Sequence, residues 1–238
     1  FPTRRSSDLG VDMHQAPYVH GLFRDVFTGV DTRQKKAIPI GELHMLLNKD
    51  PQSEKLRRTQ AIANLLFQFC GMPFSDLAHL EKSNLERGLL KYNRTKTGTP
   101  MSIEVLESAQ NAIGGLYNKS DARSSGYPDY LFRILSGAYK RNEEGAYREY
   151  QSALRRFNNE LKSLSRKLRL HSPVTSYTLR HSWATTAKYR GVPIEMISES
   201  LGHKSIKTTQ IYLKGFELEE RTKVNKLNYS YVCNFKML

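Results

Sequence analysis

The sequence lacks several features that would assign it to a common class of protein. It has two cysteines, Cys70 and Cys233, which lie far apart and show no metal-ligand spacing. This pattern favours a reduced cytoplasmic protein over a disulfide scaffold. No apolar run approaches the roughly 18 residues of a membrane-spanning helix, and no lipidation signal is present. Internal repeats and low-complexity tracts are also missing. With 238 residues, 39% of them hydrophobic, the chain could form one large globular domain or one domain with a partner fragment, and in either case a core of its own.

Positive charge is what the chain has in excess. Its 37 lysine and arginine residues outnumber 23 acidic residues, which gives a formal net charge of +14. No single segment accounts for this excess, so we expect a basic face rather than a basic tail. Such a face favours a polyanion as the partner. Net charge alone also fits a soluble basic protein that binds no polyanion.

The N-terminal segment differs in character from the rest of the chain. The sequence begins without Met, and its first nine residues, FPTRRSSDL, resemble a translated sequencing adapter joined to a broken reading frame. We therefore expect residues 1–9 to be non-native and exclude them from the prediction of the fold. Residues 31–51 are predicted to be a linker that leads into a first helix.

Apolar periodicity predicts a mainly α-helical fold with a small antiparallel β-sheet. Residues 53–69 and 146–170 carry apolar side chains at helical spacing, and the second stretch has Arg and Lys on its other face. A coiled-coil seam is the alternative for that longer helix. Two β-prone runs, residues 89–93 and 101–105, flank TKTGTP and predict a hairpin with a mobile tip. Glycine and proline signals then delimit short helices, the last of them over residues 205–213.

The most specific pattern is a set of polar residues near the C-terminus. Arg180 lies within YTLRH, His203 follows Leu-Gly, and Tyr212 follows a Thr-Thr pair with two residues between them. A guanidinium offers a planar fork to two phosphate oxygens, and an imidazole can donate to another. A phenol held beside such groups can serve as a nucleophile on phosphorus without a metal. The combination predicts phosphoryl transfer through a phosphotyrosine.

At these residues the sequence resembles the catalytic domain of the tyrosine recombinases, the phage-integrase family, most closely the type carried by mobile elements of Bacteroidetes. Residues 176–213, SYTLRHSWATTAKYRGVPIEMISESLGHKSIKTTQIYL, are similar to its second and third motif boxes in order and spacing. Residues 71–85, GMPFSDLAHLEKSNL, and the hairpin at 92–103, YNRTKTGTPMSI, are similar to its first box and its lysine hairpin. The resemblance implies a catalytic domain over residues 34–231 and, before it, the end of a helical SAM-like core-binding domain over residues 10–33. Residues 232–238 would be a tail.

The resemblance also implies a role for each site residue. Tyr212 would be the nucleophile, Arg180 the phosphate clamp, and His203 a hydrogen-bond donor to a phosphate oxygen. Lys96 in the hairpin would protonate the departing 5′ oxygen. The neighbouring His181 is expected to pack rather than react.

Two positions depart from the family's pattern. Tyr177 stands where many members have a His that assists proton transfer, so we expect it to hydrogen-bond the phosphate rather than to act as a general base. Cys70, immediately before Gly71, stands where the first phosphate-binding Arg is expected, and a thiol cannot replace a guanidinium. We hypothesise that Arg94 supplies the missing charge, because alternation along a strand would place it on the same face as Lys96. An ordinary contact of Arg94 with backbone phosphate is the alternative.

Site-specific DNA recombination is the function that the resemblance implies. The nucleophile would form a 3′-phosphotyrosyl link and release a 5′-hydroxyl, so that a mobile element is integrated or excised without a metal, ATP or another cofactor. The expected partners are double-stranded DNA attachment sites, a homotetramer docked through the tail after Phe216, and accessory DNA-bending proteins, with no membrane. Two alternatives remain open: relaxation of DNA as by a type IB topoisomerase, and a catalytically impaired DNA-binding remnant of an integrase.

Overall fold

The computed structural model describes residues 37–117, 127–141, 143–213 and 218–233. The predicted adapter segment, the predicted core-binding remnant and most of the predicted tail lie outside the described residues. Within the helices, the side chains at positions 211, 212, 218–220, 231 and 232 also lie outside the description.

The described part of the chain is mainly helical with one small antiparallel sheet, which confirms the predicted fold class. None of the helices in the described ranges is both long and apolar enough to cross a membrane. The strands are β1 (Leu85–Glu86), β2 (Leu89–Asn93) and β3 (Pro100–Glu104), which follow a 3-10 turn at Lys82–Asn84. The helices are α1 (Ile40–Asn48), α2 (Glu54–Gln68), α3 (Phe74–Ala78), α4 (Glu107–Leu116), α5 (Glu144–Lys167), α6 (Ser176–Tyr189), α7 (Ile194–Ser200), α8 (Ile206–Tyr212) and α9 (Leu218–Cys233).

The sheet is an antiparallel meander in the order β1-β2-β3. Leu90 pairs with Ile103, and Asn93 pairs with Pro100. Alternation along the strands buries Leu90, Tyr92 and Ile103 on one face, which packs into the main core. The predicted hairpin is therefore confirmed, and its turn projects from the end where Asn93 and Pro100 meet.

The long helix α5 provides one wall of the main core. Phe157, Leu161 and Leu164 recur at helical spacing and are at most 3% exposed. Phe157 stacks on Phe74 of α3, with ring centroids 4.7 Å apart. Because α5 packs against α2, α3 and α6 of its own chain, its apolar stripe is an intramolecular core rather than a coiled-coil seam.

A second, smaller core joins α6, α7 and the end of α8. Its buried members are Ala184 on α6, Ile197 on α7, Leu201 directly after α7 and Leu213 directly after α8. Each is at most 7% exposed. This core brings together the C-terminal helices and the junction that carry the predicted site residues Tyr177, Arg180, His203 and Tyr212.

Helix α1 is an element that the sequence prediction missed, because residues 31–51 were predicted to be a linker. It buries only Leu43 and Leu46, and no side chain caps its start. Its end is instead supported by α2, where Gln60 Nε2 donates to the carbonyl oxygen of Leu46 at 2.8 Å. Such tertiary support of a helix end leaves no local signal in the sequence.

Candidate functional site

Arg180 is held in a fixed orientation by two distant backbone carbonyls. Helix α6 begins at a capping box, in which Thr175 Oγ1 accepts from the Thr178 backbone N–H at 3.1 Å. This start places Arg180 in the second turn, where it is only 7% exposed. Its Nη1 donates to the Gly71 carbonyl at 2.8 Å, and its Nη2 donates to the Leu201 carbonyl at 2.7 Å. The plane of the guanidinium is therefore set before a substrate binds.

His203 lies beside Arg180 at the junction of α7 and α8. Arg180 Nη2 and His203 Nε2 are 3.2 Å apart, and His203 Nδ1 and the buried Thr209 Oγ1 are 2.8 Å apart. A guanidinium can only donate, so Nε2 accepts and Nδ1 carries the ring proton toward Thr209. The predicted donation from His203 to a phosphate oxygen would require the ring proton to move to Nε2.

Arg94 joins the same network from the hairpin side and is 7% exposed. Its Nε donates to Asp76 Oδ2 at 3.2 Å, and its Nη1 donates to the carbonyls of Leu201 and Gly202 at 2.7 and 3.3 Å. The side chain of Asp76 is fully buried. The Leu201 carbonyl thus accepts from both Arg94 and Arg180, which brings the two guanidiniums to one backbone oxygen.

The prediction that strand alternation places Arg94 and Lys96 on one face is wrong. Strand β2 ends at Asn93, and both cations belong to the turn that follows it. Arg94 is buried whereas Lys96 is exposed. Asp76 accounts for this arrangement, because its Oδ1 accepts from the Thr95 backbone N–H at 3.1 Å while its Oδ2 binds Arg94. The carboxylate holds the turn so that Lys96 stands at its tip.

The positive charges of these side chains act together on His203. The pKa of His203 is lowered from 6.5 to about 4, chiefly by burial and then by the positive charges of Arg180, Arg94 and Lys96. The imidazole is therefore neutral at pH 7. We call the cations Arg94, Lys96 and Arg180, together with the neutral His203 beside them, the cationic cluster. Such a concentration of positive donors suits an anionic substrate whose charge grows during reaction.

Two glycines permit the close approach of backbone to the guanidiniums. Gly71 and Gly202 have φ values of +65° and +63°, in the left-handed region. A Cβ on Gly202 would collide with Arg94 Cδ and lie 2.8 Å from Met101 Sδ. A Cβ on Gly71 would lie 3.3 Å from the Cα of Arg180. Each glycine therefore stands where a side chain would displace an arginine.

Cys70 precedes Gly71 in a left-handed conformation, with a φ of +55°. The residue is partly buried, and burial raises the pKa of its thiol. At neutral pH the side chain is an uncharged thiol that supplies no positive charge. The described cations that converge near this position come from α6 and the hairpin turn instead.

The remaining predicted site residues are Tyr177, His181 and Tyr212. Tyr177 lies one turn before Arg180 on α6 and is 43% exposed. His181 is partly buried, and burial lowers its pKa, as suits a side chain that packs. Tyr212 is the last residue of α8, but its side chain lies outside the description. Its role as a nucleophile stays a prediction.

Asp76 and Thr209 are two site residues that the sequence analysis did not identify. Asp76 pairs with Arg94, and Thr209 binds the imidazole of His203. In the sequence, Asp76 looks like an ordinary acid in the first turn of a short helix, and Thr209 is part of a Thr-Thr pair. Complete burial distinguishes these two residues from ordinary surface residues, and burial cannot be read from the amino-acid sequence alone.

Comparison with known proteins places the chain in a family. Residues 40–218 match the model of the phage integrase family. A probable integrase/recombinase protein of Methanocaldococcus jannaschii is 28% identical over 204 residues, which cover 83% of this chain and 58% of that protein. Tyrosine recombinase XerD of Halalkalibacterium halodurans is 30% identical over 190 residues, which cover 76% of this chain and 57% of that protein. The chain thus spans less than two thirds of the length of these relatives.

Solved structures show the same fold. A crystal structure of XerA recombinase aligns with a TM-score of 0.55 and 21% identity, over 86% of this chain and 66% of that one. A structure of the Tn1549 transposon integrase with a circular intermediate DNA aligns with a TM-score of 0.59 and 16% identity, over 82% of this chain and 67% of that one.

Substitution of Gly202 tests the close packing around Arg94. We expect Gly202→Ala to lower the free energy of unfolding by about 2–5 kcal/mol, because it combines left-handed strain with a collision. Gly88→Ala is the matched control, since Gly88 has a φ of +77° but nothing within 4 Å of the added Cβ. The control should lose only about 1–2 kcal/mol. Equal losses in urea unfolding would show that Arg94 does not occupy the space beside Gly202.

The pKa of His203 gives a second prediction. In an NMR titration of the folded protein, we expect the midpoint of its imidazole near 4, and Lys96→Met should raise it. The unfolded chain binds this proton at a higher pH, so folding stability from His203 is complete above about pH 6.5 and is lost as the pH falls toward 4. His203→Gln should flatten that part of the stability curve. A midpoint near 6.5 in the folded protein would contradict the burial and charge of the site.

Proposed function

The chain belongs to the phage integrase family, the tyrosine recombinases, and we propose that it is a site-specific DNA recombinase acting through a 3′-phosphotyrosyl intermediate. The observation that carries the proposal is the cationic cluster, in which Arg94 and Arg180 share the Leu201 carbonyl beside His203. Buried donors of fixed orientation stabilise the charge that develops on a phosphate during transfer more strongly than exposed ones do. The cluster therefore supports phosphoryl transfer rather than simple adhesion to DNA.

In the proposed reaction, the phenolic oxygen of Tyr212 attacks the scissile phosphorus. A bond from tyrosine to phosphorus forms as the bond to the 5′ oxygen breaks. The phenol loses a proton to Nε2 of His203, which must first give up its hydrogen bond from Arg180, and the leaving oxygen gains one from Lys96 at the exposed turn. The ester to Tyr212 conserves the phosphodiester, so a 5′-hydroxyl of the partner strand can reverse the step and reseal the DNA without ATP.

Arg94 is the proposed source of the charge that Cys70 does not supply. Its three described contacts, with Asp76, Leu201 and Gly202, use its Nε and Nη1 atoms. An arginine has more N–H donors than these contacts use, so Arg94 can hold its place and still donate to a phosphate oxygen. Tyr177 would add a hydrogen bond to the phosphate from the more exposed side of α6.

Double-stranded DNA is the proposed substrate. The net charge of +14 favours a polyanion, and the Tn1549 integrase structure contains DNA. Phosphate contacts would dominate the affinity and make it steeply dependent on salt. Integration or excision of a mobile element at paired attachment sites, and a cytoplasmic location, belong to the same proposal.

A homotetramer on paired DNA sites is the proposed assembly, with accessory DNA-bending proteins as further partners. Helix α9 supports it, because Val224, Leu227 and Tyr229 are 58%, 70% and 73% exposed. Apolar side chains so exposed on one helix suit a contact with a neighbouring protomer. The domain limits stay predictions, namely those of the catalytic domain (34–231), the core-binding remnant (10–33), the adapter segment and the tail. The resemblance to elements of Bacteroidetes also stays a prediction.

Covalent trapping tests the proposed chemistry. Supercoiled plasmid incubated with the protein in EDTA and quenched with detergent should yield protein-linked DNA, and Tyr212→Phe should yield none. An adduct that persists in Tyr212→Phe would refute the assigned nucleophile. Relaxation of any plasmid regardless of sequence would favour the topoisomerase-like alternative. An adduct that forms only in Cys70→Arg would favour the impaired remnant, which the thiol at this position motivates.

The role of Arg94 gives a separate prediction in the same assay. We expect Arg94→Met and Arg180→Met each to lower the rate of adduct formation on the order of 10²–10³-fold, as for loss of a preorganised donor. The variant Arg94→Met leaves the buried carboxylate of Asp76 without its partner, so Arg94→Met combined with Asp76→Asn is the control for folding. If that double variant folds and cleaves at close to the wild-type rate, Arg94 does not act on the phosphate.

A further inference from the structure

The helix that carries the proposed nucleophile is short and depends on its neighbours for its position. Helix α8 has seven residues and ends at Tyr212. A helix of this length is unstable by itself in water, so tertiary contacts decide where its last residue lies. Directly after Tyr212, Leu213 is buried in the smaller core, and its carbonyl accepts a hydrogen bond from Lys188 Nζ at 3.0 Å.

We propose that Lys188 is a positioning residue that anchors the end of α8 to α6 and so sets the approach of Tyr212 to the phosphate. This inference rests on the proposed function, in which Tyr212 attacks a phosphate held by Arg180. The anchor itself rests only on the described contact between Lys188 and Leu213.

The chemistry of the contact suits a structural anchor. Carbonyls at the end of a helix have no partner within the helix, and a cation there also interacts favourably with the helix dipole. Leu213 is 7% exposed, so water has little access to its backbone, and Lys188 itself is partly buried. Burial lowers the pKa of Lys188, because the ammonium is partly removed from water at this place. The hydrogen bond to Leu213 offsets that cost.

The position of Lys188 links the anchor to the phosphate clamp. Arg180 and Lys188 are eight residues apart on α6, which corresponds to a rise of about 12 Å. One rigid helix therefore holds both the guanidinium that binds the phosphate and the ammonium that fixes the nucleophile's helix. In-line attack requires the reacting atoms to lie about 3–3.5 Å apart, so this spacing bears directly on the rate.

A second contact on α8 makes the anchor more specific. Thr209 Oγ1 lies 2.8 Å from His203 Nδ1, which ties α8 to the cationic cluster one turn before its end. Thr209 and Leu213 lie on either side of Tyr212 in the sequence. The described hydrogen bonds of Thr209 and Lys188 thus fix α8 on both sides of the proposed nucleophile.

Lys188→Met tests the proposal in the trapping assay with supercoiled plasmid. Methionine retains an apolar stem but removes the donor, so we expect the rate of adduct formation to fall roughly 10- to 100-fold. The Kd for the plasmid should change less than about twofold, because the cationic cluster is intact. Lys188→Arg retains the charge and the donors, and it should restore most of the rate. If the rate fell only because packing around residue 188 was lost, Lys188→Arg would not restore it.

Arg190→Met is the matched control, since it removes an exposed cation two residues further along the same segment. It should leave the rate of adduct formation close to that of the wild type. An equal loss of rate in Arg190→Met and Lys188→Met would assign the effect to charge in this region and would overturn the anchor.

Hydrogen exchange provides a readout that does not depend on DNA cleavage. The Leu213 amide donates to the Thr209 carbonyl at 2.8 Å, and its exchange should become faster in Lys188→Met but not in Arg190→Met. Unchanged exchange would overturn the anchor even in a protein that cleaves DNA. Faster exchange with an unchanged adduct rate would overturn its role in positioning Tyr212. If the wild type forms no adduct, the proposed function fails together with that role, and exchange still decides whether Lys188 anchors α8.

Discussion

The carbonyl oxygen of Leu201 is the point on which the candidate site depends. It accepts from Arg180 on α6 and from Arg94 in the hairpin turn, at 2.7 Å in each case. Two like charges repel, so their approach in a site of low dielectric constant needs acceptors at the place where they meet. The Leu201 oxygen is such an acceptor, and the buried carboxylate of Asp76 adds the compensating charge. The end of α7, the hairpin and the start of α6 are therefore positioned with respect to one peptide group.

This arrangement has a consequence for reactivity. Arg94 and Arg180 are each 7% exposed, so their interactions with a phosphate would be less screened than those of surface cations. The same burial and charge keep His203 neutral. A neutral imidazole beside fixed cations can accept a proton at pH 7, whereas an imidazolium could not. In the proposed function, permanent charge would come from the arginines and a neutral proton-transfer group from the histidine.

Much of the fold was predictable because its signals are local. The stripe of α5, the glycine at position 191 that follows α6 and the hairpin between β2 and β3 follow from periodicity and turn chemistry, and the structure confirms them with bounds shifted by a few residues. Helix α1 was missed because its support comes from α2. The family motif identified Arg180 and His203. Asp76 became visible only through its burial and its distant partner Arg94, and Thr209 only through its burial and its contact with His203. The alternation argument for Arg94 failed because the strand ends one residue earlier.

The position of Arg94 off the strand makes its proposed role more specific. Had Arg94 and Lys96 shared an exposed strand face, both would have been ordinary contacts to backbone phosphate. Arg94 is instead drawn inward by Asp76 and placed on the carbonyl that also orients Arg180, while Lys96 stays at the tip of the turn. The stabilisation of a phosphate depends on the positions of the positive donors around it and not on which segment of the chain supplies them. In the proposed function, Asp76 would compensate for the thiol at Cys70, because it keeps the hairpin's guanidinium at the Leu201 oxygen.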